Sequence, residues 1–166
     1  PELFAFRRVV LTGCGDSYCA GIAAKPVFEQ LGNIYTNAIP AIEFSRHYSS
    51  KELGNAPSNP LVMAVSVSGR VNRVVEACRR ANECGVGSLT VAVTANPDSP
   101  VAKECKKTMA IKMPEFDSGL PEHTPGIRSY YASMFAMMML AIRIGEVKEL
   151  YSMEEGNDYR KSTVDY

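Results

Sequence analysis

The sequence predicts an α/β fold, a three-layer α-β-α sandwich built on a five-stranded parallel sheet in the order 2-1-3-4-5. Near-continuous apolar, β-branched runs alternate with stretches of helical spacing, and strands of that kind need cover on both faces. Small Gly- and Ser-containing turns mark two of the places where a run gives way to a helix. At 166 residues with 46% hydrophobic side chains, the chain is long enough for one proper core.

The elements follow in order along the chain. Arg8 to Thr12 reads as the first strand and Ser17 to Leu31 as the first helix. A strand near Tyr35 to Ile39 leads to a helix from Ala41 to Tyr48, and KELGNAPSNP reads as a loop. Leu61 to Ser66 is the third strand, Asn72 to Cys84 the next helix, and Ser88 to Val93 the fourth strand. A short helix from Pro100 to Lys106, a strand from Thr108 to Lys112 and a long helix from about Gly126 to Ile144 complete the domain. SMFAMMMLAIRIG is interrupted by Arg143 and too short to span a bilayer, so it reads as a buried helix with Met137 to Met139 in the core. The domain is expected to occupy residues 1–147. The polar tail, which loses the apolar period, is expected to be a linker or frayed C-terminal extension over 148–166.

Chemistry concentrates at two strand-to-helix junctions. In LVMAVSVSGRVNRVVEACRRA, Ser66, Ser68 and Gly69 stand where a buried strand meets a helix N-terminus. Unpaired amides, a partial positive charge and two hydroxyls there suit an anionic oxygen cluster such as phosphate. A helix cap is the alternative for Ser68. In VVLTGCGDSYCAGIAA the same pattern recurs with Gly13, Gly15, Asp16 and Ser17. Strand order 2-1-3-4-5 brings both junctions to one carboxyl edge, where ligands of open α/β sheets bind. A dinucleotide fingerprint fails, because Tyr18 replaces its last glycine and no acidic residue ends the second strand. No G-K-S or G-K-T follows either glycine cluster, which excludes a P-loop.

Five segments in register, GCGDSYCAG, AIEFSRHY, VSVSG, TANPDSPVAKECKKTMAIK and PGIRSYYASMFAMMMLA, resemble the sugar isomerase (SIS) domain family, with its flavodoxin-like sheet. The resemblance runs from about Arg8 to Glu146. It is strongest to the first SIS domain in the isomerase part of glucosamine-6-phosphate synthase and to related phosphosugar isomerases and deglycases. It implies a phosphosugar-binding domain in which hydroxyls and helix-terminal amides hold the phosphate, at positions Asp16, Ser17, Ser66, Val67, Ser68, Arg70 and Ser129. Four of the matched positions depart from the family: Asp16 replaces a Thr, Val67 a Gln, Arg70 a Glu and Val71 a Thr. One lost charge-assisted hydroxyl contact costs about 1.5 to 3 kcal/mol. Arg70 can offset that by a bidentate contact, or stand in solvent as surface. Asp16 repels phosphate unless it meets a sugar hydroxyl, is paired, or caps the helix that follows.

Acid-base chemistry has few candidates, since the chain holds two histidines. His123, beside Glu122 and just before the last helix, forms one candidate pair, for which a polar loop is the alternative. His47 shares a face at helical spacing with Glu43, and with Ser50 if the helix runs on, and a partly exposed helix position is its alternative. The family's Glu in the segment before the last helix falls on Thr124.

A net charge of zero favours neither nucleic acid nor an anionic membrane as a partner. Five cysteines without C-x-x-C spacing suit a reducing, cytoplasmic setting. Cys14, in a helix-entry loop, is the thiol expected to be acidified and easily oxidised. No metal and no cofactor are expected. The start at Pro1, close to the first strand, and the polar tail suggest a piece of a tandem protein. The expected partners are a phosphorylated sugar or amino sugar and either a second SIS domain or a homodimer mate. Two classes remain open: half of an aldose-ketose isomerase or deglycase, inactive in isolation, or a non-catalytic phosphosugar sensor.

Overall fold

The computed structural model describes residues 6–53, 60–84, 88–112 and 126–165. Strands β1 (Arg8–Gly13), β2 (Tyr35–Pro40), β3 (Pro60–Val65), β4 (Leu89–Thr94) and β5 (Lys107–Ala110) form a single sheet. They pair all parallel, as the alternating pattern predicts, and in the expected order β2-β1-β3-β4-β5.

Alternation along the strands feeds two cores. Val9, Leu11, Leu61, Met63, Val65, Val91 and Val93 face α1 (Asp16–Gln30) and α6 (Ile127–Val147), where Ala20, Ala24, Phe28, Met137, Ala141 and Ile144 complete one cluster. Val10, Val62, Ala64 and Ala92 face the other way, toward α2 (Ala41–His47), α4 (Asn72–Cys84) and α5 (Pro100–Glu104). There Phe44, Val74, Val75, Ala77, Cys78, Ala81 and Val101 close the second cluster. β3 is buried at every position, as befits the central strand.

Two expectations need correction. A short helix, α3 (Ser50–Leu53), stands at the start of the segment read as a loop. The polar tail is not frayed: Met153–Asp165 forms α7, packed on α6. Ser152 and Glu155 make a reciprocal capping box, with the Glu155 amide donating to Ser152 Oγ at 3.2 Å and the Ser152 amide donating to Glu155 Oε2 at 2.8 Å. Gly156 lies against the buried Glu146 carboxylate, and Arg160 binds that carboxylate at 2.6 Å. Tyr151 donates to the Ile142 carbonyl at 2.8 Å and meets Tyr159 edge to face. Polar contacts, not an apolar stripe, hold this helix down.

Candidate functional site

At the first junction Gly13 ends β1 beside Val65. A Cβ there would lie 3.0 Å from the Ser17 carbonyl carbon, the Tyr18 nitrogen and the Val65 oxygen, so glycine lets α1 land directly on the end of β3. Gly15 is the N-cap of α1 and no side chain caps the helix. Asp16 is therefore the first helical residue, which overturns its capping alternative. Its exposed carboxylate instead faces the start of α6, with Oδ2 3.2 Å from where a Gly126 Cβ would stand. Ser17 is half-buried and its amide donates to the Cys14 carbonyl at 3.2 Å.

The second junction is a braced turn. Ser66 follows β3 and donates its amide to Val93, while the Val67 carbonyl accepts from the Ala95 amide at 2.9 Å and from Thr94 Oγ1 at 3.1 Å. Gly69 has φ +65, and a side chain there would collide with Ser99. Its amide donates to the Ser66 carbonyl at 2.9 Å, and its own carbonyl accepts from Val101 in the first turn of α5 at 3.0 Å. Ser68 is exposed and its Oγ accepts from the Arg70 amide at 3.3 Å.

Two hydroxyls stand out at this edge. Thr12 Oγ1 and Ser66 Oγ are buried, and neither has a hydrogen-bond partner among the described residues. Thr12 sits opposite Ala64, two residues before Ser66, so both side chains stem from the same face of neighbouring strands. Buried hydroxyls are normally satisfied by protein, ordered water or ligand, so both of these call for a partner of one of those kinds. The Arg70 guanidinium, exposed at the same turn, makes no ion pair with a described residue. Arg73 is occupied by Glu76 at 2.7 Å, and that hydrogen bond holds the Glu76 carboxyl below its ordinary range, with Arg46 adding to it.

The expected residues fall into two depressions. Val67, Ser68 and Arg70 line one with Ala95 and Asn96. Asp16 lines the other with Gly126, Ile127, Tyr130 and Tyr131. Ser129 stands beside the second, its hydroxyl donating to the Gly126 carbonyl at 2.7 Å. Glu122, His123 and Thr124 lie outside the described residues. His47 is exposed at the end of α2. Cys14 runs against expectation: burial pushes its thiol up, and Arg73 only partly opposes this. Thr12, Asn96 and Tyr130 were not singled out from the sequence. The signal for Thr12 was its place just before the glycine pair, in phase with Val10; Asn96 follows β4 and accepts from the Asp98 amide.

Two roomier apolar hollows lie away from the serine turn. One of about 530 Å³ runs between β5 and α6 and includes Ile111, Tyr131 and Phe135. The other, about 420 Å³, lies between α1, α6 and α7 and includes Val27, Met134 and Met138. Lys112 and Arg128 line the first and Tyr159, Ser162 and Thr163 the second, but both walls are mainly apolar. Among the described residues no group of three or more His, Cys, Asp or Glu could hold a metal ion, and no helix is long and apolar enough to cross a membrane.

Comparison with known proteins follows the same lines. The family model for the SIS domain matches residues 2–143. The chain is 26% identical over 149 residues to the glutamine–fructose-6-phosphate aminotransferase (isomerizing) of Helicobacter pylori strain J99, covering 89% of this chain and 23% of that protein. It is 30% identical over 139 residues to the enzyme of that name in Streptococcus pneumoniae strain R6, covering 84% and 21%. The C-terminal domain of glucosamine-fructose-6-phosphate aminotransferase from Francisella tularensis superimposes with a TM-score of 0.79 at 17% identity, over 99% of this chain and 44% of that one. The chain thus spans about a quarter of the length of the curated relatives it matches.

Proposed function

This chain belongs to the SIS domain family, and from that premise we propose that it binds a phosphorylated sugar or amino sugar at the carboxyl edge of β1 and β3. The observation that carries this reading is the conjunction at the serine turn: buried Ser66 and Thr12 hydroxyls and an Arg70 guanidinium that have no hydrogen-bond or ion-pair partner among the described residues. Ser68, Ser66 and Arg70 hold the phosphate, with the amides opening α1 and Ser17 alongside. Arg70 supplies the charge that the family's hydroxyl at Val71 would otherwise support. The absence of a capping role for Asp16 leaves its carboxylate free for a sugar hydroxyl or an amine rather than for phosphate. Fructose 6-phosphate is the probe that the names of the relatives suggest.

We place the chain in the cytoplasm and read it as one half of a phosphosugar isomerase or deglycase, completed by a second SIS domain or by another copy. The exposed apolar side chains of α6, Ile127 and Tyr131, and the hollows beside them support a partner on that face. A non-catalytic phosphosugar sensor is the second reading, favoured by the hydrophobic Val67 and Val71 where the family has polar groups. Nucleic acid and membrane are not among the proposed partners.

Thermal unfolding with fructose 6-phosphate, glucosamine 6-phosphate, inorganic phosphate and the unphosphorylated sugars tests the binding site. A ligand held only by the folded chain adds about 2.7 kcal/mol at a hundred times its dissociation constant. Stabilisation by phosphosugars that disappears in the Ser66→Ala, Ser68→Ala double variant is the expected result. No stabilisation by any of them refutes the reading.

A further inference from the structure

We propose that Cys78 and Cys105 form a redox modification site, a thiol pair that peroxide converts to a reversible intrachain disulfide. Their sulfurs stand 3.3 Å apart, Cys78 fully buried on α4 and Cys105 half-buried just after α5. The pairing is held in place on either side. Arg79 donates to the Glu104 carboxylate at 3.0 Å, and the Asn82 side-chain amide donates to the Glu104 carbonyl at 2.9 Å. Residues 78, 79 and 82 thus reach from one turn of α4 to the same two residues, Glu104 and Cys105. The Cys105 amide is itself fixed on the Val101 carbonyl at 3.2 Å. Few conformations need to be searched before the two sulfurs meet.

The chemistry balances with hydrogen peroxide as oxidant. Peroxide first takes the more accessible Cys105 thiol to a sulfenic acid, releasing one water as the O–O bond breaks. The Cys78 sulfur then attacks the Cys105 sulfur, the S–O bond breaks, and the hydroxyl leaves as a second water with the Cys78 proton. Each thiol gives up one electron, and the peroxide takes both. The contact with Cys105 and burial keep the Cys78 thiol protonated, so the first oxidation does not begin there. The bond would tie together the two helices whose N-terminal ends frame the serine turn, since the first turn of α5 donates to the Gly69 carbonyl and α4 follows that turn.

The experiment is mild peroxide treatment of the folded chain, then alkylation of remaining thiols and peptide mapping by mass spectrometry, with and without dithiothreitol. The expected result is a linked peptide joining Cys78 to Cys105, loss of two of the chain's five thiols, and recovery of both on reduction. A Cys105→Ser variant keeps its Cys78 thiol under the same treatment. Mapping of the wild-type chain decides the matter even if that variant folds poorly. Cys78 and Cys105 remaining as thiols while Cys14, Cys19 or Cys84 oxidises would overturn the proposal, as would Cys78 linked to any other cysteine.

Discussion

A buried hydroxyl without a partner costs the folded chain about 1 to 3 kcal/mol of desolvation, which makes Ser66 the residue where stability and binding should part company. Ser66→Ala removes the orphan oxygen, so the variant is expected to unfold at the same temperature as the wild type or higher. In calorimetric titration it should bind phosphosugar roughly tenfold more weakly, the equivalent of about 1.4 kcal/mol. Gly69→Ala should do the opposite, disturbing the fold first: its positive φ and its packing on Ser99 predict a loss of about 2 kcal/mol or more, read from denaturant unfolding. Asp16→Thr exchanges an exposed carboxylate at the site edge for a hydroxyl and is expected to tighten phosphosugar binding several-fold, with most of the gain lost at high salt. At this scale the sequence was legible where chemistry sits in a short motif. The two serines and both glycines of the junctions were visible as such. Thr12 was not, because its importance comes from Ser66 on a neighbouring strand, and pairing register is a tertiary fact.

At the scale of elements, α7 shows what the apolar period misses. Its capping box, S-x-x-E at Ser152 to Glu155, was present in the sequence, but the helix has no continuous apolar stripe to announce it. It docks through Glu146, whose side chain is only 2% exposed and which binds Arg160 at 2.6 Å and Arg143 at 2.9 Å. The Arg160 hydrogen bond, opposed by desolvation and aided by Arg143, holds the Glu146 carboxyl below its ordinary value. Because the folded pKa is lowered, the stabilisation is present above the unfolded value of about 4.3 and is lost as pH falls through the folded one. Limited proteolysis of the C-terminal segment should therefore accelerate below about pH 4.3 in the wild type, and Glu146→Gln should be cleaved readily at neutral pH as well. Gly156→Val, which drives a side chain into that carboxylate, should release α7 at every pH. The three inner strands were legible because burial on both faces writes near-continuous apolar runs, as in β3, whereas the edge strands β2 and β5 are more exposed.

For the molecule as a whole, the parallel sheet followed from alternation and its order from the likeness to a flavodoxin-like sheet, whereas the division of the edge into two depressions followed from neither. Where a helix N-terminus lands over its sheet depends on close approaches such as Gly13 on Val65 and Gly126 beside Asp16, which no sequence period records. The same long-range packing leaves Ile127 and Tyr131 exposed at 65% and 49% on α6. If that face meets a second copy, Tyr131→Glu should convert a dimer to monomer in sedimentation velocity without lowering the unfolding temperature. The central claim, that the serine turn holds the phosphate, is tested most directly by mapping backbone amide resonances of the folded chain as fructose 6-phosphate is added. The account predicts saturable shifts confined to residues 15–17 and 66–70, absent with fructose. Shifts centred instead on the apolar hollows along α6, or none in the two junctions, would contradict it.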